Sequence, residues 1–185
     1  KVFFDGKNVS AYATEELRRR IKVVLQKTAL SKGTIPDNVL LGATDKSDEN
    51  LKLALRTAQA EDFVEKKHGG ADAELEQGGK NLSGGQRQRL SVARAIAAKP
   101  EVLILDDSSS ALDFLTDLNM RRAISSLDPK PTTFIVSQRA AAVKHADVIV
   151  VLDEGKEVGL GKRDELYKNC PVYREIESSQ EKGAE

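Results

Sequence analysis

The chain has 185 residues, of which 39% are hydrophobic and 31% charged, a balance that suits one globular domain or a domain with a subdomain. Its 29 Lys and Arg are matched by 29 Asp and Glu, so net charge is zero and no broad basic footprint for DNA or RNA is present. The single cysteine, Cys170, excludes an internal disulfide and fits a reducing compartment, and no signal peptide or apolar run of about eighteen residues is evident, so the chain is expected to lie in water.

Near the start, Val2, Phe3 and Phe4, then Asp5-Gly6, then Val9 predict a hairpin. Residues 14–20 are helix-prone, with Thr14 as a candidate cap. Residues 21–25 (IKVVL) read as a strand that ends at Gln26. Residues 48–67 place Leu51, Leu55, Ala58, Phe63 and Val64 at near-helical spacing among charges, which predicts a helical segment packed beside a sheet. Residues 73–81 (AELEQGGKN) form a charged, glycine-bearing loop.

Residues 81–113 (NLSGGQRQRLSVARAIAAKPEVLILDDSSSALD) carry the most chemistry and fall into three pieces. In the first, Ser83, Gly84, Gly85 and Gln86 open a segment whose Leu90, Ala93, Ile96 and Ala97 have helical spacing. Two readings fit it. Glycines at a helix start let a phosphate approach the backbone, and free N–H groups with the positive end of the dipole then face the anion. Ser83 and Gln86 also fit S-x-x-Q, a capping box in which the glycines only make a turn. In the second piece, Val102, Leu103, Ile104 and Leu105 suit a parallel strand covered on both faces, with Asp106 and Asp107 at its carboxyl end. A carboxylate there can hold Mg²⁺ through water beside nucleotide phosphates, or can simply begin an acidic loop. The third piece, Ser110, Ala111, Leu112 and Asp113, is a polar turn with one acid.

Beyond it, residues 116–127 predict a helix stopped by Asp128-Pro129, and residues 132–136 (TTFIV) a strand followed by Ser137, Gln138 and Arg139. Residues 147–152 and 158–160 bracket the turn Glu154-Gly155-Lys156. Residues 164–177 predict a C-terminal helix, with the polar tail beyond Ser178 expected to fray. His68 and His145 have no metal-ligand pattern around them.

In this order and spacing, residues 81–113 resemble the nucleotide-binding domain of ATP-binding-cassette (ABC) proteins. LSGGQ is similar to that family's signature motif, residues 103–106 to its Walker B strand, and Ser110, Ala111, Leu112 and Asp113 to its D-loop. Residues 28–39 (TALSKGTIPDNV) resemble the exporter-type segment after the Q-loop, which identifies Gln26 with the Q-loop glutamine, an amide that reaches Mg²⁺ and the attacking water. Glu74, Glu76 and Gly78 align with the exporter loop before the signature, while Gln77 and Gly79 differ from it.

The resemblance implies an α/β fold: a partial RecA-like P-loop NTPase core, residues 1–35 and 96–185, with an inserted helical subdomain, residues 36–95, that ends in the signature helix. It implies a subunit that binds and hydrolyses ATP with Mg²⁺ and drives export by closing against a second nucleotide-binding domain. The expected place is the cytoplasmic face of a membrane, with transmembrane domains fused upstream, no nucleic-acid partner, and the region from Gln26 to Asn38 facing the membrane subunits.

One absence and two departures qualify this. No G-x-x-x-x-G-K-[S/T] is present, since Gly79-Lys80 is followed by Asn81 and Gly161-Lys162 by Arg163, each without the earlier glycine. The resemblance places the Walker A loop ahead of residues 1–4, so the chain reads as a fragment, and as an inactive one alone. Asp107 stands where the resemblance implies a glutamate general base, and Gln138 where it implies the switch histidine. Both changes resemble the degenerate half of heterodimeric exporters. Ser83, Gly84, Gly85 and Gln86 would then serve the partner's ATP, while Asp106, Asp107, Gln26 and Gln138 line a slow site. A homodimer would carry two such slow sites. Rival readings are a soluble ABC ATPase of DNA repair or translation, which the neutral charge and exporter-type loops disfavour, and a regulatory nucleotide-binding module with little turnover.

Overall fold

Asp5 and Gly6 both take positive φ (47° and 73°), as a two-residue hairpin turn requires, and reverse the chain between β1 (Phe3–Phe4) and β2 (Lys7–Asn8) in the computed structural model. The structure describes residues 1–27 and 29–182, which divide into two compact units, Lys1–Val136 and Ser137–Glu185. Thr28, within the exporter-like segment, and residues 183–185 lie outside the described residues.

In the first unit, α1 (Thr14–Arg20) starts one residue earlier than a Thr14 cap would allow: extended Ala13 is the N-cap and Thr14 is the first helical residue. Glu15 and Glu16 in its first turn and Arg18, Arg19 and Arg20 in its last complement the helix dipole instead. Strand β3 (Ile21–Val24) follows, then β4 (Gly33–Thr34) and the short α2 (Ile35–Val39), capped by a Thr34–Asp37 box. The amphipathic stretch forms two helices, α3 (Asp48–Thr57) and α4 (Glu61–Glu65). Gln59 breaks them with φ of 55° between Ala58 and Ala60, both fully buried. β5 (Glu74–Leu75) pairs antiparallel with β4, Gly33 opposite Leu75.

Helix α5 (Gly84–Ala97) is the centre of this unit. Leu90, Val92 and Ala93 are fully buried, and the helix packs against α2, α3 and β3. β6 (Val102–Asp106) runs parallel to β3 on one side and, on the other, to β7 (Thr132–Val136). Between them lies α6 (Phe114–Ser125), which starts two residues before the expected position because Asp113 caps it. Buried Asn50 joins α3 to α5, its Nδ2 donating to the carbonyls of Asp45 (2.8 Å) and Ala97 (2.9 Å).

The second unit holds α7 (Ala140–Val143) and the hairpin of β8 (Ile149–Asp153) and β9 (Lys156–Gly161), turned at Glu154 and Gly155. The C-terminal helix is also two, α8 (Arg163–Asn169) and α9 (Pro171–Lys182), because extended Cys170 ends the first and Pro171 starts the second. α9 runs past Ser178, where fraying was expected, as far as Lys182. Its small core is Ile149, Val151, Leu166, Cys170 and Tyr173. No helix among the described residues is long and apolar enough to cross a membrane.

In the three-stranded sheet of the first unit, β3 and β7 are paired on one side only among the described residues, and Phe134 and Val136 of β7 are more than half exposed. Unpaired edges with apolar side chains template further pairing. The 185-residue chain alone is therefore expected to self-associate as concentration rises, read by light scattering; a monodisperse monomer throughout counts against it.

Candidate functional site

The start of α5 is a complete capping box. Ser83 Oγ accepts the N–H of Gln86 at 3.2 Å, and Gln86 Oε1 accepts the N–H of Ser83 at 3.0 Å. The cap and the anion site are not exclusive. Gly84 and Gly85 are the first two helical residues, whose N–H groups the helix leaves without an internal partner, and the Ser83 hydroxyl proton remains available to donate.

Gly85 answers a packing need as well. A Cβ there would stand 2.9 Å from the carbonyl oxygen of Ala111 and 3.4 Å from Leu112, so the helix start lies directly against residues 110–113. That loop is tightly held. Asp107 has φ of 44° and donates its N–H to Val136 O at 2.9 Å. Ser110 Oγ donates to Asp107 O at 3.0 Å, and Leu112 is buried in the core. Asp113 Oδ1 accepts the N–H of Thr116 at 2.9 Å, and that bond holds its carboxyl below the usual aspartate range.

The structure also joins two residues far apart in sequence: Gln26 Nε2 donates to Asp107 Oδ2 at 2.6 Å. Asp106 ends β6, the middle strand of its sheet. Gln88, which the sequence reading did not single out, is buried and donates from Nε2 to Leu25 O at 3.3 Å, fixing the end of β3 just before Gln26. A polar residue two positions before the buried Leu90 was its only sequence signal. Ser83, Gly84, Gly85, Gln86, the 110–113 turn, Asp106, Asp107 and Gln26 all belong to the first unit. Gln138 belongs to the second, where its carbonyl accepts Gln180 Nε2 at 2.7 Å.

Behind Gln26, a cavity of about 260 Å³ opens between β3 and α5, lined by Lys22, Lys27 and Arg94 beside Val23, Leu41 and Ala95. Its cations have no acidic neighbour in the lining, and burial holds the Lys22 amine below the usual lysine range. No cluster of three His, Cys, Asp or Glu suited to a metal is present among the described residues.

A parallel sheet whose middle strand ends in two acids, and a capped glycine helix pressed against the loop that follows them, define the nucleotide-binding domain of the ABC ATPase fold. The ABC transporter family model matches residues 1–110, and the chain belongs to that family. It is 38% identical to a putative ABC transporter ATP-binding protein of Mycoplasma genitalium, over 97% of this chain and 30% of the relative. It is 39% identical to the beta-(1→2)glucan export ATP-binding/permease protein NdvA of Bartonella bacilliformis, over 89% of this chain and 28% of that protein. The solved structure of a bacterial Atm1-family ABC exporter with ATP bound is similar with a TM-score of 0.89 and 28% identity, over 95% of this chain and 31% of that one. The chain thus spans about 30% of the length of the relatives it matches.

The two glycines are expected to answer differently to an added methyl. Gly84→Ala meets only ordinary contacts beyond 3.7 Å, the nearest being Ala111 Cβ at 3.8 Å, and should leave stability unchanged or raise it. Gly85→Ala forces the Ala111 carbonyl away and should destabilise by about 1–3 kcal/mol despite alanine's better helix propensity. Urea unfolding of both variants checks this.

Proposed function

We propose that this chain is the signature-bearing part of the nucleotide-binding domain of an ABC exporter, and that it clamps an ATP whose main phosphate cradle belongs to a second such domain. The observation that carries the reading is the intact LSGGQ at a capped helix start, lying against the D-loop-like turn through Gly85. Ser83 Oγ–H and the N–H groups of Gly84 and Gly85 donate to the γ-phosphate, and the positive end of α5 adds to them. Gln86 holds this start in shape through the capping box. The contact with Ala111 makes closure of the 110–113 turn against the partner and seating of the phosphate one movement.

On its own Walker side the chain is a poor catalyst. Asp107 keeps the carboxylate but reaches one methylene less far than glutamate, and a misplacement of about 1 Å can cost about 10²-fold. One of its two oxygens is engaged by Gln26, so one remains to orient a water. Gln138 can hydrogen-bond a γ-phosphate but carries no charge there. Mg²⁺ is a hard cation that suits the oxygen donors Asp106 and Gln26, largely through water, and would neutralise phosphate charge. The expected assembly is a heterodimer in which the partner's site turns over quickly and this one holds ATP long.

The relatives support transport. NdvA is named as an export ATP-binding/permease protein, so transmembrane domains on the same polypeptide and a place at the cytoplasmic face of a membrane are the reading adopted here. The cationic cavity beside Gln26 suits an acidic or helix C-terminal surface of those domains. A regulatory module that binds nucleotide without turnover is the second reading, favoured by Asp107 and Gln138.

Turnover of the intact assembly separates them. Ser83→Arg is expected to lower ATP hydrolysis by about 10²-fold or more, as loss of a phosphate donor does, while Asp107→Asn lowers it less than about tenfold. The opposite ranking overturns the asymmetric site, and no hydrolysis in the unmodified assembly favours the regulatory module. The isolated 185-residue chain is expected to show no micromolar ATP affinity by isothermal titration, since Walker A supplies most of the phosphate cradle.

A further inference from the structure

Arg94 lies in α5 about 15 Å along the helix from Gly84, at 1.5 Å per residue, and lines the cavity beside Gln26. Three of its guanidinium donors go to the segment that follows Gln26. Nε donates to Asn38 O at 2.7 Å, Nη2 to Asn38 Oδ1 at 2.9 Å, and Nη1 to Ala29 O at 2.9 Å. Burial lowers its pKa and no carboxylate offsets that, so a cation is held by neutral oxygens alone. Asn38 is itself 1% exposed and fully used: Oδ1 also accepts the N–H of Ser31, and Nδ2 donates to the carbonyls of Ser31 and Thr34. Residues 29–38 are thus wound around one asparagine, and that asparagine is bolted to α5.

A second link reaches the helix start. Gly78 N–H donates to Leu30 O at 2.9 Å, and a Cβ on Gly79 would stand 2.9 Å from Leu30 Cδ1 and 3.1 Å from Arg87. Arg87 in turn donates from Nη1 to Leu82 O at 2.6 Å, one residue before Ser83. The segment therefore holds α5 both in its last turn and ahead of its first turn. A rigid rod gripped at two points follows the grip.

We infer that Arg94 is a positioning residue that couples residues 29–38 to the signature helix, so that a displacement of that segment re-aims Ser83, Gly84 and Gly85. This rests on the proposed function for its purpose, since there the segment faces the membrane domains and the helix start faces ATP. The device itself is independent of nucleotide. Removing the guanidinium takes its donors from Asn38 O, Asn38 Oδ1 and Ala29 O and frees the two elements from each other.

The test is amide hydrogen exchange on the intact protein, without nucleotide, for Arg94→Gln, Asn38→Ala and the two combined. Each single change is expected to raise exchange by about tenfold over residues 29–39 and also, at a distance, over residues 84–90. The double variant is expected to go no further than the larger single effect, because both remove one link. Arg94→Lys, which retains a cation with fewer donors, is expected to recover part of the protection at residues 84–90. Loosening confined to residues 29–39, no change in either stretch, or additive effects overturn the coupling. If neither Arg94→Gln nor Asn38→Ala folds, Arg94→Lys alone decides, and unchanged exchange over residues 84–90 overturns it. Failure of the ATP reading shows up separately, as the Ser83→Arg turnover result, with this exchange pattern intact.

Discussion

A backbone approach governs the geometry of this molecule: the second residue of α5 sits against the carbonyl of Ala111 with room for a hydrogen and no more. That closeness requires glycine, brings a helix start and an acidic loop into one surface, and fixes where free N–H groups point. It is sustained from behind. Leu90, Val92 and Ala93 are buried in the layer formed by α2, α3 and β3, so α5 cannot back away from the loop without opening the core. On the loop side, Leu112 is in the same core and Asp113 starts α6.

Much of the fold was legible in the sequence. Hairpin turns at Asp5-Gly6 and Glu154-Gly155 followed from positive-φ chemistry, and β6 from an unbroken apolar run, although only Leu103 and Leu105 of that run are buried and the expected cover on both faces is incomplete. The helix breaks were not. Across Gln59 the buried residues Ala58 and Ala60 continue the apolar stripe, so periodicity ran through a turn that only the positive φ of Gln59 reveals. At Cys170 the backbone is extended, and the proline in the next position opens a new helix where periodicity alone continues the first.

The site divides along the same line. Ser83 and Gln86 are three residues apart and their box is a local matter, readable from S-x-x-Q. The Gln26–Asp107 bond spans 81 positions and depends on the parallel pairing of β3 with β6, which no local pattern encodes. Arg94 is the clearest case. Among the charges of residues 87–94 it reads as one more solvated arginine, and only the folded chain reveals that every donor it uses meets a carbonyl or amide oxygen of one short segment.

Asn50 has a comparable reach at the carboxyl end of the same helix. Its amide closes the last turn of α5 through Ala97 and, through Asp45, the loop that leads into α3; Lys99, just past the helix, pairs with Asp45 at 2.8 Å. Neither helix can fray from that end without breaking bonds that belong to the other. Loosening at the start of α3 and loosening at the end of α5 are therefore coupled through Asn50, Asp45 and Lys99.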